Sequence, residues 1–222
     1  MNRTLEKELM EDEEQVIAYA AADFNEPHSH FIELFRSRFH DQPVRGLALD
    51  LGCGPGDISF RFAEAFSECT IHAVDGSATM LSYGETRLVR RPDLVDRILF
   101  IEGRLPAAEL PAEQYDLIFS NSLLHHLLDS AVLWSVIRRY SKPGSVVFVM
   151  DLFRPESRES AAGMVGRYAE REPEVLRRDF FNSLLAAFTL DEISGQLKAN
   201  GLEYLSLEAV SDRHFTVSGI IR

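Results

Sequence analysis

Nine residues constrain this chain more than any others: Leu49-Asp50-Leu51-Gly52-Cys53-Gly54-Pro55-Gly56-Asp57. An apolar run starting at Gly46 and carrying one acid, Asp50, meets a turn with glycine at 52, 54 and 56. Behind the turn, Ile58, Phe60, Phe62, Ala63 and Phe66 recur with polar residues between them, which is a helical pattern. The local expectation is a strand over about 45–51, a tight turn, and a helix over about 57–67. Glycines there clear side chains from a surface a ligand must approach and allow positive φ. The following helix aims its first amides and the positive end of its dipole at whatever lies over the turn.

From Val44 onward, strand-like and helical stretches alternate, the signature of a parallel sheet covered on both faces. Strands are expected at 70–74, ending on Asp75, and at 98–102, 115–120 and 145–152. Helices are expected from a Ser77 cap to about Arg90, over about 129–140, through 155–187 with a break at Pro173, and over 190–200 before Gly201. Two strands, 203–210 and 214–221, close the chain. Residues 1–43 are rich in helix formers. They predict helices at 6–10 and 13–22, and a third one capped by Ser29 after a break at Asn25-Glu26-Pro27. The chain therefore divides into an N-terminal helical cap (1–43) and an α/β domain (44–222) with a helical insertion at 155–187.

Two ligand classes use such a turn, dinucleotides and S-adenosylmethionine. The dinucleotide fingerprint needs a third glycine where Asp57 stands. The G-x-G-x-G form with an acid at position 50 instead resembles motif I of the class I S-adenosylmethionine-dependent methyltransferases. Asp75 lies 19 positions after Gly56, near the spacing of about 20 at which a carboxylate grips ribose hydroxyls. Asp75-Gly76-Ser77-Ala78-Thr79-Met80-Leu81 resembles that family's D-x-S-x-x-M-L pattern. The stretch from Phe119 to Leu127 resembles its motif IV, with Ser120-Asn121 and the pair His125-His126. Motifs carry the resemblance over 44–152, and element order carries the rest.

The resemblance implies a three-layer α/β sandwich around a mostly parallel seven-stranded sheet, with strand seven antiparallel and placed beside strand five. It implies S-adenosyl-L-methionine as cofactor, S-adenosyl-L-homocysteine as product, and in-line methyl transfer to a small-molecule acceptor. The expected cofactor contacts are Asp50, Gly52, Cys53, Gly54 and Gly56 from the turn; Asp75, Gly76, Ser77 and Met80; Gly103, Arg104 and Leu105; and Asn121 with Ser122. Arg104 stands where relatives carry the acid that binds adenine. His125 is the catalytic candidate, as a base for an acceptor that must lose a proton. Tyr19, His28, His126, Asp151 and Arg154 are the expected substrate contacts, with Tyr19, Asp23, His28 and His30 on a lid formed by the cap.

Several of these expectations carry alternatives. Arg154 can clamp a substrate carboxylate or phosphate, or pair with a local acid such as Asp151. His125 and His126, at the start of a helix, project about 100° apart, so one is expected to face the ligand and the other to pack. No metal site is expected, because adjacent helical histidines diverge and the sequence offers no third ligand. Tyr168, Arg177, Arg178, Phe180, Phe181 and Asn182 suit a pocket wall, core packing or a homodimer interface. Asp212-Arg213-His214 has no independent signal.

The net charge of −12, from 23 Lys and Arg against 35 Asp and Glu, argues against a nucleic-acid partner. No apolar run reaches the roughly 18 residues of a membrane helix, and the acidic start of the chain lacks an export signal. The two cysteines form no disulfide framework. A cytoplasmic protein is expected. Other readings stay open: a cofactor-binding protein that does not methylate, an enzyme moving a different group from the same cofactor, or an NAD-dependent oxidoreductase.

Overall fold

The computed structural model describes residues 1–6, 13–22 and 24–222. Its centre is one sheet of seven strands: β1 (Gly46–Leu51), β2 (Cys69–Asp75), β3 (Ile98–Glu102), β4 (Tyr115–Asn121), β5 (Ser141–Leu152), β6 (Ser206–Ala209) and β7 (His214–Ile220). They lie in the order β3-β2-β1-β4-β5-β7-β6. Strands β1 to β5 run parallel, and β7 runs antiparallel between β5 and β6. The expected fold class and the place of strand seven both hold.

Each central strand feeds two cores, because successive side chains point to opposite faces and both faces are covered. In β5, Val146, Phe148 and Met150 enter one core, while Val147 and Val149 enter the other. The second core is closed by α5 (Ala131–Tyr140) and α8 (Leu190–Ala199), through Trp134, Ile137, Ile193 and Leu197. The first is closed by α3 (Asp57–Ala65) and α2 (Asn25–Arg38).

Helix α2 corrects two expectations. It begins at Asn25 rather than Ser29, and Pro27 lies in its first turn, where a missing N–H leaves no intrahelical bond unmade. It is also cemented to the sheet. Phe31 sits edge-on to Phe148 with ring centroids 5.0 Å apart, and Phe35 to Phe62 at 4.9 Å. Among the described residues of the cap, α1 (Glu13–Ala21) and the first six residues take no part in those ring contacts. The helix expected at 6–10 and the side chain of Asp23 fall outside the described residues.

After β5, α6 (Arg158–Tyr168) and α7 (Glu174–Ala186) form a helical pair with a small core of their own, Ala161, Val165, Leu184 and Leu185. Pro173 separates them as expected, at the N-cap of α7. Ser77 caps α4 (Ala78–Leu88), its hydroxyl accepting the Met80 N–H at 3.3 Å.

Candidate active site

Strand order reverses between β1 and β4, and ligands in open parallel sheets collect outside the carboxyl ends of the strands at such a point. A cleft of about 1900 Å³ opens there, lined from α1, α2, the glycine turn, α4, the end of β4 and α7. The glycine turn forms its floor. Gly52, Gly54 and Gly56 all have positive φ, for different reasons. A Cβ on Gly52 would strike Leu123, and one on Gly56 would strike Phe100, so these two serve internal packing. A Cβ on Gly54 would meet nothing within 4 Å. Gly54 therefore leaves bare backbone facing the cleft, where a cofactor's backbone-hugging part fits.

Two carboxylates frame the turn. Asp75 accepts the Gly54 N–H and the Ser77 N–H, each at 2.8 Å. Burial raises its pKa against those hydrogen bonds. Asp50, 1% exposed, accepts from the Ser59 hydroxyl at 2.5 Å. Burial pushes its pKa up to about 7, with the charge of Asp75 adding to the effect. Cys53, Ser77, Met80, Asn121 and Ser122 join these residues on the cleft wall.

The other expected cofactor contacts do not reach the wall. Gly76 is absent from it, and Gly56 sits beneath the turn. Arg104 is exposed, Gly103 lies against Ala108, and Leu105 packs on the second core. Gly103 nevertheless stays beside the site, its N–H donating to the Asp75 carbonyl at 2.9 Å.

At the cap side, Tyr19 and His28 line the cleft as expected. Burial pushes the Tyr19 hydroxyl up to about 12. His28 Nδ1 lies 2.7 Å from Asp57 Oδ2, and Arg61 Nε and Arg87 donate to the same carboxylate at 2.6 and 2.8 Å. Burial alone would raise the Asp57 pKa, but these partners outweigh it and hold it below the usual range. The residue that breaks the dinucleotide fingerprint is thus the anchor between α2 and α3.

The far end of the cleft is built on the turn after β4. Leu124–His126 is a single 3₁₀ turn rather than the start of a helix. In it the rings of His125 and His126 lie side by side, centroids 4.2 Å apart, and both line the cleft. The expected divergence of the pair is corrected: although neighbours in a 3₁₀ turn leave the backbone about 120° apart, the two rings fold back against each other on the same wall. Asp151, at the end of β5, is 1% exposed and sits 2.5 Å from His125 Nδ1. Buried, it positions His125 and is not a substrate contact. Burial opposes charge on both, but their attraction prevails, raising His125 and lowering Asp151.

Arg154 is likewise corrected. Its guanidinium donates to Glu192 at 2.8 Å and to the Ala187 carbonyl at 3.0 Å, and it does not line the cleft. The local-acid alternative holds, with Glu192 rather than Asp151 as the acid. Of the insertion residues, Tyr168 and Phe180 reach the cleft, Phe181 packs against the helical-pair core, and Arg177 and Arg178 lie off the wall.

Two contributors escaped the sequence reading. His214 lines the cleft, its pKa lowered to about 4 by burial and by Arg213. Glu6 approaches both central histidines, with Oε1 at 3.2 Å from His126 Nδ1 and 3.6 Å from His125 Nε2. Nothing in a lone glutamate near the start of a chain signals that placement.

A family model described as a methyltransferase domain matches residues 49–147. Protein arginine N-methyltransferase 1 of Schizosaccharomyces pombe is 29% identical over 147 residues, covering 65% of this chain and 38% of that protein. An uncharacterized methyltransferase of Mycobacterium tuberculosis is 31% identical over 127 residues, covering 54% and 61%. The chain thus spans 38% of the length of the first relative and 61% of the second, less than two thirds of either. A structure from Methanococcus maripaludis, assigned to the S-adenosyl-L-methionine-dependent methyltransferases, matches 100% of this chain and 97% of its own. Its TM-score is 0.70 at 22% identity, a likeness of fold.

Proposed function

We propose that this chain, which a methyltransferase-domain model matches over residues 49–147, is a class I S-adenosylmethionine-dependent methyltransferase that binds S-adenosyl-L-methionine and transfers its methyl group to a small-molecule acceptor. The observation that carries the reading is the convergence of bare Gly54 backbone, the Asp75 carboxylate and Asn121 on one cleft that runs on to His125. When bound, the cofactor supplies a methyl on a positively charged sulfur, which a nucleophile displaces in line.

The chain's own residues do the rest. Asp75 is proposed to accept the ribose hydroxyls, Met80 to pack against adenine, and Asn121 and Ser122 to lie along the methionine portion. Asp50 and Asp75 also place negative charge beside a cationic ligand. The far end of the cleft holds the acceptor. There His125 acts through Nε2, its ring oriented by Asp151, and Tyr19 and His28 close the cap side. Alignment and exclusion of water supply most of the rate in such a displacement, so no nucleophilic side chain is required. A cleft walled by Tyr168, Phe180, Leu176 and Met150 suits a compact amphipathic acceptor.

Isothermal titration with S-adenosyl-L-homocysteine, with NAD as the comparison, tests the reading. Micromolar binding of the first, lost in Asp75→Ala, supports it. Binding of NAD alone overturns it. Methyl release from labelled cofactor on incubation with candidate acceptors then separates an enzyme from a protein that only binds the cofactor.

A further inference from the structure

We propose that Glu6, His125 and His126 bind a divalent transition-metal ion at the acceptor end of the cleft. The proposal goes beyond methyl transfer and stands or falls independently of it. The three side chains offer one carboxylate oxygen and two ring nitrogens, all within 4.8 Å of one another. Metal–ligand bonds of about 2.0–2.1 Å put neighbouring tetrahedral ligands about 3.4 Å apart. The two Glu6–histidine separations, 3.2 and 3.6 Å, bracket that edge.

The surroundings match what a ligating histidine requires. A metal-bound imidazole donates its other N–H to a carboxylate or carbonyl, which fixes both tautomer and orientation. Asp151 does this for His125. It takes the Nδ1 proton and is itself held by the backbone N–H of Leu152 at 2.6 Å and of His125 at 3.3 Å. With Nδ1 committed, the lone pair of His125 is on Nε2, the atom nearest Glu6.

Glu6 is also held from outside the cluster. Ser183 donates to its carboxylate at 3.1 Å. The backbone around it is tied down by Thr4 N–H on the Leu185 carbonyl and by Arg3 on the carbonyls of Ala186, His125 and Leu127. A ligand reaching across from so distant a part of the sequence is thus fixed against the turn that supplies the other two.

Two imidazoles and one carboxylate suit zinc, iron(II) or manganese rather than calcium or magnesium, which favour all-oxygen sites. Three protein ligands leave a position open, the pattern of catalytic rather than structural sites. Because both histidines line the cleft, that position faces the acceptor. An ion there would polarise an acceptor oxygen or nitrogen as a Lewis acid; with its Nε2 lone pair on the ion, His125 would be a ligand in the loaded protein and would act as a base only in the metal-free one.

The test uses the full chain, stripped with chelator and desalted, in calorimetric titration with Zn2+ and in visible spectroscopy with Co2+. The expected result is one Zn2+ per chain at micromolar affinity or tighter, and a Co2+ spectrum of four- or five-coordinate type. Glu6→Gln and His126→Ala should each abolish the spectrum while leaving the circular dichroism unchanged. Asp151→Asn should weaken Zn2+ binding by about 10–100-fold. His40→Ala and Cys69→Ser, remote from the cluster, should bind as the parent does. Absence of Zn2+ binding, or binding that Glu6→Gln and His126→Ala both retain, overturns the proposal and leaves the cluster an ion pair between the N-terminal segment and the histidine turn. S-adenosyl-L-homocysteine binding, measured on the same samples, reports separately on the cofactor site.

Discussion

The carboxylate of Asp75 holds the Gly54 N–H at 2.8 Å across the gap between the end of β2 and the glycine turn. One oxygen does this, while the other takes the Ser77 N–H at the start of α4. The acid proposed to bind ribose therefore also sets the shape of the floor on which the ribose rests. Asp75→Ala removes both functions, whereas Asp75→Asn keeps one acceptor oxygen and a similar volume. Charge-assisted hydrogen bonds contribute about 1.5–3 kcal/mol each. Asp75→Ala should then weaken S-adenosyl-L-homocysteine by about 10–100-fold or more, and Asp75→Asn by less. Calorimetry on the two variants checks this, and equal losses would assign the whole effect to charge.

Arg154 yields the opposite kind of prediction. Its side chain is 5% exposed and satisfies both Glu192 and the Ala187 carbonyl. Arg154→Met keeps the bulk and removes the donors, leaving a buried carbonyl with one partner fewer. A loss of about 1–3 kcal/mol of stability is expected, with cofactor affinity and acceptor KM unchanged. Urea unfolding and steady-state kinetics measure the two separately. A raised KM at parental stability would restore Arg154 to the substrate site.

How far the sequence could be read follows from the range of the forces involved. The glycine turn, Asp75 and the Ser77 cap are local devices whose spacing carries their geometry. They were legible, as was the parallel α/β character of the sheet, because alternating βα units admit few topologies; the place of strand seven came with the family resemblance. The side-by-side histidines were not, since three residues of 3₁₀ turn and three of α-helix have the same pattern of residue types. Arg154 was misplaced for another reason. A buried cation takes whatever acid the tertiary structure brings, and here that is Glu192, 38 positions on, which also closes the capping box with Thr189 at the start of α8. Glu6 lay beyond reach altogether, because its partners lie more than a hundred residues away.

Asp50 should cost the fold stability in return for a charge at the cleft. Its folded pKa, raised by burial to about 7, exceeds its unfolded value near 3.8. The native state thus binds the extra proton, and the contribution of this group falls as pH rises from about 4 to 7, then stays flat. Asp50→Asn cannot ionise, and the Ser59 hydroxyl can turn to accept from the amide. At pH 8 the variant should melt higher than the parent, by about 2–4 °C for each kcal/mol recovered. Near pH 4 the two should converge. Cofactor affinity should fall in the same variant, since the negative charge beside the turn is gone. A variant that melts no higher at pH 8 would show that Asp50 is already accommodated without penalty.

Asp57 has the reverse sign. Despite burial, its bonds to His28, Arg61 and Arg87 hold its folded pKa below the unfolded value of about 4. Its contribution is fully present above that unfolded value and is lost as pH falls further toward the folded one. The melting temperature of the parent should therefore drop more steeply below pH 4 than that of Asp57→Asn, while the offset between them stays constant from pH 5 to 7. The same bonds join α2 to the first turn of α3, so the charge should also govern how often the first turns of α2 open. In hydrogen exchange at neutral pH, amides in the first turns of α2 should lose protection in Asp57→Asn before those of β1 or β4 do. The Phe31 and Phe35 contacts should keep the C-terminal half of the helix closed. Uniform exchange along α2 in the variant would mean that aromatic packing alone, and not the Asp57 cluster, holds the helix over the cleft.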